Sequence, residues 1–159
     1  MQIHFYNRNN MKQIIDTIVK DDDELTVWHS DSLIAVPPLE LIFECYLEIL
    51  QSGMSLPGMP FRNGSSVIWI ENSHSEVMSG QVYEYIDDKK EGWITMGFTA
   101  QAFRNQGLNQ LCHKYLIKAI KKRGGLSLGS IISVKNEKML AAAIKKGLMP
   151  EYYRTIQWI

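Results

Sequence analysis

Residues 92–125 read GWITMGFTA-QAFRNQGLNQ-LCHKYLIKAIKKRGG, and two periodicities meet inside them. Residues 93–99 are rich in β-branched and aromatic side chains and end in small ones, which predicts a strand. Apolar residues then recur at Leu108, Leu111, Cys112, Tyr115, Leu116, Ala119 and Ile120, a spacing of three and four that lays one stripe along a helix. Arg104-Asn105-Gln106-Gly107-Leu108-Asn109 lies between them, where the chain turns from strand into helix. The first turn of a helix has unpartnered N–H groups and the positive end of the macrodipole. Such a corner attracts anions, phosphate above all.

Neither a P-loop nor a Rossmann fingerprint accounts for it, because there is no Gly-Lys-Ser/Thr and only one glycine of the three required. The pattern Arg-x-x-Gly-x-Asn, preceded by Phe103 and by a strand ending at Thr99, resembles the acetyl-CoA-binding motif of the GNAT N-acetyltransferase superfamily, (Arg/Gln)-x-x-Gly-x-(Gly/Ala). The resemblance continues downstream. Residues 126–134 read as the next strand, Asn136 opens another helix, and Lys145 and Gly147 match the spacing of the family's Lys-x-Gly-Phe-like close. Two positions depart from the pattern. Asn109 replaces the last small residue of the motif, and Ala143 stands where many members place a Tyr that protonates the leaving CoA thiolate.

What the resemblance implies is an acetyl-CoA-dependent N-acetyltransferase whose acceptor is an amine of a small molecule or protein. Acetyl-CoA is then a co-substrate, held mostly by backbone. Amides and carbonyls near Phe98, Thr99 and Ala100 pair with the pantetheine arm. Those from Arg104, Asn105, Gln106, Gly107, Leu108 and Asn109 wrap the pyrophosphate, and Asn136 belongs to the same set. An N–H near Thr99 faces the oxyanion. Glu84 on the neighbouring strand is the candidate general base, with Glu91 second. With Ala143 lacking a hydroxyl, thiolate protonation falls to Tyr152, Tyr153 or water. Tyr83, Tyr85, Trp69 and Trp93 are readable either as an acceptor pocket or as core. The competing reading is a catalytically silent acyl-CoA-binding sensor or interaction module of the same fold.

Composition narrows the classes. The chain has 159 residues, enough for one domain with a substantial core, and we read residues 1–159 as a single domain. Seventeen Lys plus Arg balance seventeen Asp plus Glu, so no basic excess points to nucleic acid. Lys118, Lys121, Lys122 and Arg123 gather at the end of the long helix, readable either as complements to its dipole on a solvated face or as support for the cofactor's 3′-phosphate. Cys45 and Cys112 form no disulfide framework, and neither His74 nor His113 has metal-ligand spacing to another His or Cys, so no metal is expected. His113 falls off the apolar stripe. No leader-like segment or bilayer-length apolar run is present, which predicts a cytoplasmic protein without a membrane partner. Asn63-Gly64-Ser65 reads as a turn.

The remaining elements follow in order. Residues 3–6 suggest a short strand, and residues 11–20 a helix with Met11, Ile14, Ile15, Ile18 and Val19 on one face. Residues 25–29 and 33–36 are apolar pieces without a clear assignment. Pro38 suits the first turn of a helix over residues 39–51, which is apolar almost all round. Residues 52–66 form a loop, readable either as a border of the acceptor cleft, as in the family, or as a plain surface loop. Strands over 66–71, 81–86 and 93–99 are joined by short polar connections, hence antiparallel. Residues 152–159 supply one last strand where the family usually has two, and an unpaired terminal strand invites a homodimer. The resemblance implies a fold of class α/β (α+β): a mixed, mostly antiparallel GNAT-like sheet flanked by about four helices.

Overall fold

The computed structural model of the chain describes residues 12–53, 59–130, 137–145 and 147. Six strands form one sheet in simple sequence order: β1 (Lys12–Lys20), β2 (Asp23–Ser30), β3 (Ser66–Glu71), β4 (Val77–Ile86), β5 (Glu91–Thr99) and β6 (Ser127–Ser130). All neighbours pair antiparallel except β5 and β6, which are parallel. Helices α1 (Leu39–Gln51), α2 (Leu108–Lys122) and α3 (Glu137–Lys145) complete the described architecture. The sheet is mixed and mostly antiparallel, as the sequence suggests. None of the described helices is long and apolar enough to cross a membrane.

Residues 12–20 correct the expected helix: they are strand β1. Ile14, Ile15, Thr17, Ile18 and Val19 are all β-branched, a composition that favours the pleated state over the helix. Asp21 and Asp22, with φ of 50° and 64°, make the tight left-handed turn that a hairpin of right-twisted strands requires. The helix-like spacing of the isoleucines comes from a bulge. Register shifts between Ile14 and Asp16, so Ile15 and Ile18 both pack on the core while Ile14 and Val19 stay exposed. The helix count therefore drops to three among the described residues. Residues 25–29, unassigned above, belong to β2. The strands expected over 3–6 and 152–159, the Asn136 helix start and positions 131–134 of the sixth strand lie outside the described residues.

Alternation along β3 separates two cores. Ile68 and Ile70 face one side with Leu25, Val27, Tyr83 and Ile94, covered by Leu108, Cys112, Tyr115, Leu116 and Ile120 of α2. Val67 and Trp69 face the other with Val82, Met96 and Phe98, covered by Ile42 and Cys45 of α1. Trp69 and Tyr83 are both fully buried, so they are core rather than pocket wall. His113 is buried too, despite sitting beside the apolar stripe. The predicted 63–65 turn is present: Ser65 N–H donates to Arg62 O at 3.0 Å.

Candidate functional site

Strand β5 changes character halfway along. Met96 opposes Val82 and Ile94 opposes Tyr83, leaving Thr95 as a bulge. The extra residue flips the alternation: Ile94 packs under α2, whereas Met96 and Phe98 pack under α1. Pairing with β6 covers Glu91 to Ile94. Beyond it, among the described residues, the outer edge of β5 from Thr95 to Thr99 has no strand beside it. Ala100 N–H donates to Met78 O at 2.9 Å, which sets the phase of this half of the strand. Alternation turns the backbone groups of Phe98 and Ala100 toward β4 and those of Gly97 and Thr99 outward. Ala100's carbonyl is also used, by Phe103 N–H at 2.9 Å. Of the three expected edge residues, only Thr99 presents its backbone to the open side, and Gly97 joins it.

After Thr99 the chain makes one short 3-10 turn, Gln101–Phe103, and two left-handed residues, Asn105 (φ 64°) and Gly107 (φ 73°). Gly107 caps α2 without any side-chain hydrogen bond, and no acidic residue stands in the first turn. A Cβ at Gly107 would meet nothing within 4 Å, so the space before the helix is open and glycine is favoured by φ alone. Leu108 is buried and anchors the helix start. Asn109 turns inward. Its Oδ1 accepts from Gln81 Nε2 at 3.1 Å and its Nδ2 reaches Gly80 O at 3.5 Å. The departure from the motif's small residue therefore leaves the helix start uncovered, because the amide side chain is spent on the sheet. Such an end favours an anion.

Arg104 does not point into this open space. Its Nε donates to Thr99 O at 3.1 Å, and its Nη2 donates to both Glu48 oxygens at 3.0 and 2.9 Å. Buried Cys45, one helical turn before Glu48 on α1, donates Sγ–H to the same Thr99 carbonyl at 3.7 Å, and burial pushes its thiol pKa up. The Glu48 pair holds the Arg104 guanidinium more firmly protonated still.

Glu84 sits opposite Trp93, two residues before the bulge position on β5. Arg62 grips it with Nε to Oε1 at 3.1 Å and Nη2 to Oε2 at 3.2 Å, and Ser65 Oγ donates to Oε1 at 2.6 Å. Glu91 accepts from Trp93 Nε1 at 3.2 Å. Ala143 is buried and has no hydroxyl to offer. Asn136 and Tyr152 lie outside the described residues. The structure thus brings together the β5 edge, the 104–109 corner and, from α1, Cys45 and Glu48. Glu48 was hidden in sequence because it is one of three α1 glutamates spaced by four, Glu40, Glu44 and Glu48, and nothing in that spacing singles out one of them. Arg62 and Ser65 were hidden because only the turn brings them to β4. No group of three or more His, Cys, Asp or Glu among the described residues is arranged to hold a metal ion.

No protein-family model and no curated protein matches the sequence. Solved structures do resemble the fold. An aminoglycoside acetyltransferase, meta-AAC0020, from an uncultured soil metagenomic sample superposes with a TM-score of 0.61 at 9% identity, over 80% of this chain and 90% of that one. A GNAT-family acetyltransferase from Listeria monocytogenes gives 0.59 at 12% identity, over 83% and 90%. A GNAT-family acetyltransferase from Elizabethkingia anophelis, solved with acetyl-CoA bound, gives 0.55 at 18% identity, over 79% and 75%. At such identities the likeness establishes the fold, which is that of the GNAT acetyltransferases.

Proposed function

We propose that the chain is an acetyl-CoA-dependent N-acetyltransferase acting on an amine of a small molecule or protein. One observation carries the reading: among the described residues no strand pairs with the outer edge of β5 at residues 95–99, and that edge leads through one short 3-10 turn to a helix start at Gly107 without a side-chain cap. A strand edge pairs with an amide-bearing arm, and a bare helix start holds a diphosphate. Coenzyme A carries both groups in that order. In this reading Gly97 and Thr99 take the pantetheine amides that sequence alone assigned to residues 98–100. Backbone N–H groups from Arg104 to Asn109 surround the diphosphate, with Asn136 in the same set by motif spacing. Arg104 contributes its backbone while its guanidinium braces the corner.

Bound acetyl-CoA supplies an activated acetyl group as a thioester. The residues of this chain then have three tasks. A backbone amide beside the Thr95 bulge, rather than the N–H near Thr99 that sequence alone assigned, polarises the carbonyl. Glu84, positioned by Arg62 and Ser65, takes the proton of the attacking amine, directly or through water. The N–C bond forms as the C–S bond breaks, and the departing thiolate takes a proton from Tyr152 or solvent.

A second reading, an acyl-CoA-binding module without turnover, is favoured by the buried Ala143 at the usual tyrosine position. Thiol release from acetyl-CoA, measured against a panel holding an aminoglycoside, a polyamine, a lysine peptide and a free peptide N-terminus, separates the two. Turnover with any of them supports the enzyme. Tight CoA binding with no turnover on the whole panel supports the silent module. CoA at a hundredfold excess over its dissociation constant should add about 2.7 kcal/mol of stability, and no thermal shift at millimolar CoA would overturn both.

A further inference from the structure

We propose that Glu48 of α1 is a positioning residue for the cofactor corner, holding Arg104 folded back on the Thr99 carbonyl so that the β5 edge stays set for the cofactor. The inference rests on the acyl-CoA reading given above. Thr99 is the last residue of β5, and its carbonyl points out along the open edge. Two donors fix it there: Arg104 Nε at 3.1 Å and Cys45 Sγ at 3.7 Å. Arg104 reaches back from beyond the corner to do so, and what keeps it back is Glu48, both of whose oxygens accept from Nη2.

Spacing explains why α1 serves this purpose. Cys45 and Glu48 are three residues apart and so share one side of the helix, the side turned to the end of β5. Helix α1 thereby touches the end of β5 through a thiol and the corner through a carboxylate. The Arg104 and Glu48 side chains are 38% and 53% exposed, so the pair adds little to global stability. Its consequence is local. An unrestrained guanidinium beside a diphosphate site has a better acceptor available than a peptide carbonyl, because planar forked donors match phosphate oxygens. Without Glu48, Arg104 leaves Thr99, and the outward phase of the Gly97 and Thr99 amides loses its brace.

Isothermal titration with CoA tests this on the full chain, alongside melting temperatures. Glu48→Ala should weaken CoA binding about tenfold, a loss of about 1.4 kcal/mol. Glu48→Gln should weaken it less, and Glu48→Asp, which keeps the charge, should restore most of the affinity. Melting temperatures of all three should stay near that of the unmodified protein. A role confined to structure would instead lower the melting temperature and leave the dissociation constant unmoved. Unchanged affinity in both Glu48→Ala and Glu48→Gln overturns the proposal while leaving the acyl-CoA reading standing. Tighter binding in Glu48→Ala also overturns it, since Glu48 would then only compete with the phosphates for Arg104. If the unmodified protein binds no CoA, both readings fall. Should Glu48→Ala fail to fold, Glu48→Gln decides.

Discussion

The His29 imidazole and the Tyr83 hydroxyl share a hydrogen bond of 2.5 Å between Nε2 and Oη, inside the core of the sheet and two strands apart. Burial lowers the His29 pKa, Asp31 partly offsets this, and Arg123 pushes it further down. Burial likewise raises that of Tyr83. A histidine with a depressed folded-state pKa leaves the folded protein short of a proton that the unfolded chain binds. Its contribution is therefore present above the unfolded value of about 6.5 and lost as pH falls through that value. Melting temperature should decline from pH 7 toward pH 5, and His29→Gln should flatten that slope. An equally steep slope in the variant would assign the decline to other groups.

Tyr115 of α2 donates to Asp16 of β1 at 2.7 Å and staples the hairpin edge to the helix. Desolvation first, then Asp16, pushes the Tyr115 pKa up to about 12, and the same hydroxyl is the main reason that Asp16 titrates below its ordinary value. The two signs are opposite. Tyr115 adds stability fully below pH 10 that disappears as pH rises toward 12, whereas Asp16 adds stability above its usual range that disappears as pH falls below it. Tyr115→Phe should lower the melting temperature at pH 7 and weaken the dependence at both extremes. Chemical denaturation at pH 3, 7 and 11 measures this, and parallel profiles for variant and parent would count against it.

The central stretch was legible in sequence because residues 93–99 are rich in β-branched and aromatic side chains and the apolar residues of α2 recur every three and four. Residues 11–20 were not, because a bulge at Ile15 counterfeits helical spacing in a strand. The same physics limited the reading of the site. Gly107 declared itself by position, yet which amides face outward depends on the Thr95 bulge and on Ala100 pairing with Met78, and neither leaves a mark on residue type. Arg104 was found as a motif residue, but its partner Glu48 lies 56 residues away in sequence.

Asn109 is the departure from the motif that the structure makes informative. Its Oδ1 accepts from Nε2 of Gln81, a residue only 1% exposed whose Oε1 has no hydrogen-bond partner among the described residues. Asn109→Ala would leave the Gln81 amide group unpaired as well, at a cost of about 1–3 kcal/mol. CoA affinity should change less than threefold, since the side chain lies on the sheet side of the helix start. Urea denaturation and titration with CoA check the two halves separately. A large affinity loss with unchanged stability would mean that the side chain itself faces the cofactor.

Gly107 tests the corner directly. Alanine there meets no atom within 4 Å but must adopt φ of 73°, so Gly107→Ala should cost about 1–2 kcal/mol of stability and retain measurable CoA binding. Gly107→Glu carries the same strain and adds a negative charge beside the uncapped amides, so it should abolish CoA binding. Comparing the two by thermal shift isolates charge from strain. Equal CoA responses in both variants would move the diphosphate elsewhere.

Glu84 makes the sharpest test of catalysis because its carboxylate is held from two sides, by Arg62 on both oxygens and by Ser65 on one. That grip fixes its position at the row of Trp93, near the bulge. Glu84→Gln preserves the shape and the Ser65 contact but removes the base. Turnover should fall by about a hundredfold, the lower end of what a general base contributes, while the CoA dissociation constant stays within about twofold. Arg62→Gln frees the carboxylate without removing it, so its turnover should stand well above that of Glu84→Gln. Steady-state thiol release and CoA titration on the two variants separate these effects, and full activity in Glu84→Gln would leave proton removal to water alone.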